Sequence, residues 1–530
     1  MTTTSDDIVV DGIPITTVDA TEEPVKTAVD LDDDIVDANL SDALKATKPA
    51  TEEDEQPATA ENKRKVIGKV AIASVGFMLD AYDFFIINIV LHIMSEVYDA
   101  PTDAQKGFVA SMALWGALTG QIVFGVLADK LGRRVIFVTT CILVIVGSLG
   151  SAVVYDSPNF SIYWSMGICR FFLGLGVGGE YPLSASVANE ASESKSKGKL
   201  TVVVFSMQGW GALLAPSVSS LILFSGCDEE STWRICLGVA VIPMLIILPF
   251  RWRMEESHTF TKAKAESVAA KARKNEIRAQ SAEEISRARR RCRSCLKTVN
   301  KYKYMMMGTA VSWFLLDVCF YANSLFNADV TAALGFGDTA LESSVASVAI
   351  TAISLPGYFL SIFLMDKIGR KILQAGGFVV VGILFAVMAT QYDWLLTQPG
   401  LFLFLYGLTF LFSNFGPNAT TYVIAAEIYP SIVKATCHGL SAATGKLGAA
   451  LGAYMFPPIQ SQGRTLINTT EYQWVDNSTT LMSVQEYDYT SGLKTVMFIC
   501  SVRYSLSFKN TWCVSGQRLM SPFVDDAMLI

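Results

Sequence analysis

Three residues near the middle of the chain could bind a polar solute inside an apolar environment. Trp313, Asp317 and Tyr321 are spaced by four residues within the apolar run 304–326, so they share one face of a helix. A charge at membrane depth is costly and is tolerated mainly where it faces a cavity or a partner. This stripe therefore predicts a solute site, although a structural polar contact between helices would give the same pattern.

Other apolar runs are also interrupted by charge. Asp80 and Asp83 lie in the first run, Arg170 and Glu180 in the fourth, and Lys446 in the eleventh. Because intramembrane charges of both signs recur along the chain, each of them is a candidate functional residue.

The composition indicates a membrane protein. Of the 530 residues, 51% are hydrophobic and 17% are charged, against the roughly 25% charged residues that are usual in soluble domains. Apolar runs of about 18 residues or more predict spanning helices. We place eleven of them at 66–94, 107–128, 135–154, 161–187, 200–225, 233–250, 304–326, 344–365, 372–390, 401–425 and 437–458.

A twelfth apolar run is incomplete. It begins at Leu493, and Arg503 and Lys509 interrupt it after Val502. Charges at these positions oppose insertion, so we expect a short, poorly packed stub and an atypical tail over 503–530. The predicted fold is an all-α membrane protein of eleven clear spans and a truncated twelfth.

Basic residues predict the orientation of the chain. Lysines and arginines are concentrated in the segment before the first span and in every even-numbered loop, and such residues mark the cytoplasmic side. The amino terminus is then cytoplasmic, and the sequons at Asn468 and Asn477 face outwards, which predicts a glycoprotein. We expect a multi-pass protein of the plasma membrane, with an acidic, disordered cytoplasmic tail over 1–62.

The sequence indicates two related halves. Asp129 and Asp366, each in a similar loop motif, lie 237 residues apart, and so do Glu190 and Glu427. A shared offset predicts duplicated six-helix halves over 63–250 and 304–502, joined by a basic cytoplasmic loop over 251–303. That loop could bind the anionic inner leaflet or act only as a solvated helical linker.

The sequence contains little that would indicate a cofactor site or an enzyme. Cys292 and Cys295 have no second cysteine pair that would complete a zinc site, so we expect neither metal nor cofactor. Lys446 follows a glycine, but Leu440 and Leu447 occupy the positions where a P-loop needs glycine and Ser/Thr. An ion gradient is therefore the expected energy source, and the chain is not expected to be an enzyme.

The motifs resemble a known transporter family. GVLADKLGRR after the second run and MDKIGRK after the eighth resemble the loop signature of the major facilitator superfamily. DAYDFF, GLGVGGEYPLSA, NFGPNATTY and EIYP resemble its phosphate:proton symporter family, over about residues 66–458. The resemblance implies two six-helix halves that alternate around a central site.

The resemblance also implies roles for individual residues. The substrate-binding set is Tyr181, Gln208, Trp313, Asp317, Tyr321, Asn418 and Lys446. The proton-coupling set is Asp80, Asp83, Arg170 and Glu180, in which Arg170 is the expected counter-charge and Glu stands where relatives can carry Asp. The gating motif comprises Gly125, Asp129, Gly132, Arg133, Asp366, Gly369 and Arg370.

The favoured function is proton-coupled symport of inorganic phosphate. The implied partners are inorganic phosphate, protons and the lipid bilayer, without nucleic acid and with a functional monomer. Two alternatives remain: a sugar or organic-ion porter of the same superfamily, and a phosphate sensor with little transport.

Overall fold

Long helices form the amino-terminal half of the chain, as the apolar run lengths predict. The computed structural model describes residues 60–191, 197–254, 286–336, 339–429, 433–461, 465–475, 478–488 and 490–516. In this half the helices are α1 (Ala60–Val97), α2 (Asp103–Leu131), α3 (Arg133–Val153), α4 (Ile162–Ala191), α5 (Lys197–Phe224), α6 (Glu229–Gly238) and α7 (Val241–Trp252). Helices suit an apolar run because every interior backbone group is satisfied within the element.

The carboxy-terminal half is also helical across the predicted spans. Its helices are α8 (Ser286–Ser324), α9 (Asn327–Ala333), α10 (Ala340–Ser354), α11 (Pro356–Ile368), α12 (Arg370–Thr390), α13 (Tyr392–Leu396), α14 (Pro399–Ser413), α15 (Ala419–Glu427), α16 (Lys434–Ser461) and α17 (Thr490–Gly516). A π-helical turn, Asn414–Asn418, joins α14 to α15. Pro356 divides the eighth predicted span, because proline cannot donate the backbone hydrogen bond that would continue the helix.

The all-α membrane fold is confirmed. Among the described residues, nine helical stretches are long and apolar enough to cross a membrane. Two more helices, α4 and α16, carry the predicted intramembrane charges Arg170, Glu180 and Lys446.

The two halves turn at corresponding glycines. Gly132, between α2 and α3, has φ 104°, and Gly369, between α11 and α12, has φ 89°. Positive φ strongly favours glycine. The glycine of the shared loop motif is therefore required in both halves by the same kind of backbone turn.

The end of the membrane domain differs from the sequence expectation. Helix α17 is longer than the predicted stub, since it continues through Arg503 to Gly516, but among the described residues it is not one of the nine stretches long and apolar enough to cross a membrane. The ring of Tyr504 stacks on that of Phe385 in α12, with 5.8 Å between centroids. Besides Tyr504, this helix buries Leu493, Met497 and Cys500. Packing of this apolar face stabilises the helix. Because Arg503 is only half-buried, its charge opposes the helix less than its position in the sequence indicates.

A β-hairpin lies between α16 and α17 and is an addition to the helical prediction. Its strands β1 (Thr465–Val475) and β2 (Ser478–Asp488) are antiparallel. Asn468 of the first sequon is on β1, whereas Asn477 lies outside the described residues.

Other predicted segments are described only in part. Residues 1–59 of the acidic tail, 255–285 of the basic loop and 517–530 of the final tail lie outside the described residues. The two ends of the 251–303 loop are helical instead: Arg251 is buried in α7, and α8 begins at Ser286 and continues through residue 303 without a break.

Candidate functional site

Lys446 is the centre of a buried polar cluster between the two halves. Its Nζ lies 3.1 Å from Oδ2 of Asp317 and donates to the hydroxyl of Tyr321 at 2.9 Å. Asp317 and Tyr321 are one turn apart on α8, and Lys446 reaches them from α16. The predicted stripe and the predicted cation therefore meet.

Tyr181 and Gln208 complete the cluster from the amino-terminal half. The Tyr181 hydroxyl lies 3.5 Å from the Tyr321 hydroxyl and donates to Oε1 of Gln208 at 3.5 Å. Lys446 Nζ lies 4.9 Å from the centroid of the Tyr181 ring and 4.2 Å from that of Tyr321, distances at which an ammonium is attracted to an aromatic face. Hydroxyl and amide donors thus surround a single cation–carboxylate pair.

Trp313 lies beside this cluster rather than within its hydrogen bonds. Its ring meets His438 edge-on at 5.5 Å and Tyr422 at 6.4 Å. The Tyr422 hydroxyl donates to the main-chain oxygen of Tyr181 at 3.4 Å, which connects Trp313 to the cluster. His438 and Tyr422 were not among the predicted site residues.

Asn418 is held by the π-helical turn. Pro417 has no N–H to donate, and a wider turn accommodates this loss. Asn418 Nδ2 then donates to Oδ1 of Asn414 at 2.9 Å and to the Tyr358 hydroxyl at 3.3 Å. Tyr358, which accepts this hydrogen bond from Asn418, was also not among the predicted site residues. All seven predicted binding residues expose 6% or less of their surface.

An uncharged cavity adjoins the cluster. Its volume is about 40 Å³, and no lining residue is charged. Its wall includes Phe85, Asn88, Asn327, Ser347, Tyr358 and Asn414. Tyr358 and Asn414, the two partners of Asn418, connect this cavity to the polar cluster.

A second charged cluster lies within the amino-terminal half. Arg251 of α7 binds Glu180 of α4 through both terminal guanidinium nitrogens, with Nη2 2.8 Å from Oε2. Both side chains are fully buried, and Asp80 of α1 lies beside them. Arg251 was assigned to the cytoplasmic loop from the sequence, so its role as the partner of Glu180 is a correction.

Arg170 lies beside Asp83 of the predicted proton-coupling set. Its Nη2 donates to the main-chain oxygen of Asp83, and the Asp83 carboxylate accepts from Ser148 at 3.0 Å. Arg170 is therefore the neighbouring cation of Asp83, one carboxylate of the predicted set, while Glu180 pairs with Arg251. Helix spacing placed Asp80 and Asp83 on one face, but the packing of α3, α4 and α7 decides which basic residue each carboxylate meets.

The gating motif joins the two halves. Oδ2 of Asp129, on α2, accepts from the backbone N–H and the hydroxyl of Thr436, at 2.8 and 2.7 Å. Thr436 is in the first turn of α16, where backbone N–H groups lack helical partners. In the other half, Arg370 bridges Asp366 at 2.8 Å and Glu427 at 3.2 Å.

Helices α2 and α16 approach closely at both of their ends. A methyl group placed on Gly125 would lie 2.9 Å from the carbonyl oxygen of Ala435. At the opposite end, a methyl group on Gly107 would lie 3.1 Å from the carbonyl oxygen of Tyr454. These two helices, one from each half, are therefore in close contact near both of their ends.

Comparison with known proteins identifies similar sequences. Residues 69–477 match the family described as sugar (and other) transporter. An inorganic phosphate transporter 1-11 of Oryza sativa subsp. japonica is 34% identical over 436 residues, which is 73% of this chain and 78% of the relative. A low affinity inorganic phosphate transporter 5 of Petunia hybrida is 34% identical over 452 residues, which is 75% of this chain and 84% of the relative.

Solved structures share the fold. A major facilitator superfamily proton:xylose symporter, XylE, bound to 6-bromo-6-deoxy-D-glucose, superposes with a TM-score of 0.63 at 19% identity, covering 85% of this chain and 96% of that one. A partially occluded inward-open form of the xylose transporter from E. coli gives 0.62 at 20% identity, covering 85% and 98%. At this identity the likeness concerns the fold alone.

Proposed function

The chain belongs to the sugar (and other) transporter family of the major facilitator superfamily, and on this basis we propose that it carries inorganic phosphate across a membrane together with protons. The observation that carries the proposal is the buried Lys446, with Asp317 and Tyr321 within 3.1 Å. An anion needs a cation at this depth, and a neutral solute does not. The relatives at 34% identity are named as phosphate transporters, which supports the same substrate.

The cluster has the chemistry to hold a protonated phosphate. Lys446 supplies the positive charge, while Tyr181, Tyr321 and Gln208 supply further donors. Asp317 accepts a hydrogen bond from a phosphate hydroxyl. A fully deprotonated phosphate has no hydroxyl and cannot donate this bond. Asp317 also pairs with Lys446, so each of the two buried charges has a partner within the cluster.

The contacts between the halves support alternating access as the mechanism in this proposal. The Asp129–Thr436 contact and the Gly125 approach close one end of α2, and the Gly107 approach closes the other. In this proposal, opening either end requires the separation of α2 from α16 there, together with the other helices that pack between the halves. We therefore assign Gly125, Asp129, Gly132 and Arg133, with Asp366, Gly369 and Arg370, to gating.

Proton coupling is assigned to the charged groups of the amino-terminal half. Asp80, Asp83, Arg170 and Glu180 are all buried, so their charges depend on access to water as the halves move. Glu180 precedes Tyr181 of the substrate cluster in the sequence. A shift of α4 at Glu180 would therefore also move a substrate-binding residue.

The protein is a carrier, not an enzyme, in this proposal. We infer a plasma-membrane location with a cytoplasmic amino terminus, a functional monomer, and glycosylation at the sequons. An epitope at residue 1 that antibody reaches only in permeabilised cells would support the orientation.

Uptake of radiolabelled phosphate by proteoliposomes tests the function. We expect accumulation that rises with an inward proton gradient and collapses with a protonophore. Asp317→Asn should abolish uptake, because an amide keeps the shape but removes the carboxylate that accepts from the phosphate hydroxyl. Accumulation that ignores the protonophore would refute proton coupling, and absence of phosphate uptake in folded protein would refute the substrate.

A sugar is the second candidate, and the uncharged cavity favours it. Amide, hydroxyl and aromatic groups line that cavity, a combination that also suits a neutral polyol. The same vesicles distinguish the two: excess unlabelled xylose leaves phosphate uptake unchanged if phosphate is the substrate, whereas labelled xylose uptake would support the sugar reading.

A further inference from the structure

Tyr358 carries a buried hydroxyl group whose own hydrogen has no acceptor in the part of the chain that the structure describes. Its oxygen accepts from Asn418 Nδ2 at 3.3 Å, and this is the hydrogen bond that the side chain makes there. The residue is 2% exposed. Buried hydroxyl donors are normally satisfied, because an unmade hydrogen bond at such a position costs free energy. The unused donor is therefore a candidate contact for a bound solute.

The direction of the hydrogen bond between Asn418 and Tyr358 follows from the neighbouring amide. Asn414 Nδ2 donates to the main-chain oxygen of Ser354 at 3.5 Å, so its Oδ1 is left to accept from Asn418 at 2.9 Å. Asn418 therefore directs its amide nitrogen, which only donates, towards Tyr358 as well. Because the Tyr358 hydroxyl can only accept in this bond, its hydrogen points elsewhere.

The ring of Tyr358 is fixed where the two halves meet. A methyl group placed on Gly209 of α5 would lie 2.6 Å from Cδ2 and Cε2 of Tyr358, and the ring centroid lies 5.9 Å from that of Phe205. Glycine permits this close approach. Gly209 follows Gln208 of the substrate cluster in the sequence, so the ring is held beside that cluster and only its O–H bond can rotate.

The Tyr358 hydroxyl lies near the groups that would bind phosphate. It interacts electrostatically with the hydroxyls of Tyr181 and Tyr321, and Tyr321 in turn accepts from Lys446. A phosphate ion needs donors for all of its oxygens, and a single lysine does not supply them. A buried hydroxyl with an unused hydrogen, held in a fixed position, meets that need without a further charge.

We propose that Tyr358 is an additional phosphate-binding residue, which donates its hydroxyl hydrogen to a phosphate oxygen while Asn418 holds it in direction. The inference rests on the proposed transport of phosphate and adds a donor to the same site. Tyr358 also lines the uncharged cavity, so its hydroxyl would meet phosphate at the boundary between this cavity and the polar cluster.

The phosphate affinity of Tyr358→Phe tests the proposal. Phenylalanine keeps the packed ring and removes only the hydroxyl, so we expect at least about tenfold weaker binding of radiolabelled phosphate to the purified protein in detergent. Tyr429→Phe is the matched control, because it removes a buried hydroxyl that bonds to Thr309 at 2.8 Å and to Ser441 at 3.3 Å. This control should bind phosphate as the wild type does.

The same substitution in an Asn418→Ala background separates direct contact from support of Asn418. If Tyr358 only supports the Asn418 amide, its hydroxyl has no effect once that amide is removed, and the double variant binds as Asn418→Ala does. If Tyr358 contacts phosphate, the double variant binds about tenfold more weakly than Asn418→Ala. Thermal unfolding shows whether each variant is folded, and Asn418→Ser replaces Asn418→Ala if the latter is not.

Each outcome bears on one proposal. A folded wild type that does not bind phosphate refutes the proposed substrate, and this inference with it. Phosphate binding by the wild type with equal affinity in Tyr358→Phe, a loss that disappears in the Asn418→Ala background, or an equal loss in Tyr429→Phe overturns this inference alone. A loss in both backgrounds, with Tyr429→Phe unchanged, supports Tyr358 as a phosphate-binding residue.

Discussion

Replacement of Lys446 by glutamine should change both the stability and the phosphate affinity of this protein. Lys446 and Asp317 are each 2% exposed at the side chain, with 3.1 Å between Nζ and Oδ2. Removing one partner of such a pair leaves the other charge buried and unpaired, which costs about 3–5 kcal/mol. We therefore expect Lys446→Gln to lower the free energy of unfolding by about that amount.

The double variant Lys446→Gln/Asp317→Asn should recover most of the lost stability. It removes both charges and keeps amides of similar shape, and replacing a buried pair by neutral groups is often close to neutral in stability. Phosphate binding should not recover, because the cation is absent in both variants. The double variant should therefore regain stability without regaining phosphate binding.

Thermal unfolding in detergent, with and without phosphate, measures both quantities. Phosphate at about 100 times its dissociation constant should stabilise the wild type by about 2.7 kcal/mol, and should not stabilise either variant. The matched control is Lys494→Gln, since Lys494 pairs with Asp393 at 2.9 Å but the two side chains are 43% and 79% exposed. Such a surface pair is worth about 0–1 kcal/mol. A Lys446→Gln protein that phosphate still stabilises would refute the assigned site.

Three further perturbations test the gate, the site wall and the last helix. Asp129→Asn removes the charge from the acceptor of two hydrogen bonds from Thr436, so we expect the closed contact to lose about 1.4 kcal/mol of stability. Thiol labelling of the adjacent buried Cys437, measured by mass spectrometry, should become about tenfold faster. An unchanged labelling rate would argue against the gate. Gly445→Ala places a methyl group 2.7 Å from Cγ of Trp313 and should weaken phosphate binding about tenfold. Gly376→Ala, which meets nothing within 4 Å, should leave binding unchanged, and equal affinities would exclude Trp313 from the site. Tyr504→Ala should destabilise the protein by about 3–5 kcal/mol, because this ring is buried against Phe385. The control is Phe498→Ala on the same helix, where the side chain is 61% exposed. Equal unfolding temperatures for the two variants would show that α17 does not contribute to the core.

Much of the fold follows from properties that act along the chain. The length of an apolar run predicts a helix, since a helix satisfies its own backbone groups whatever its neighbours are. The glycines Gly132 and Gly369 are likewise required locally, by positive φ. Lys446, Asp317 and Tyr321 could be recognised because charged and polar groups are conspicuous within apolar runs.

The charge partners and the neutral walls of the site were decided by tertiary structure. Arg251 stands at the end of an apolar run and resembles part of a basic loop in the sequence. Only the packing of α3 against both α4 and α7 makes it the partner of Glu180. Tyr358, Tyr422 and His438 look like ordinary members of helices until their neighbours are known. In each case the energy depends on which helix faces meet, because a buried charge or hydroxyl is stabilised by a partner from another part of the chain, and no local pattern specifies that partner.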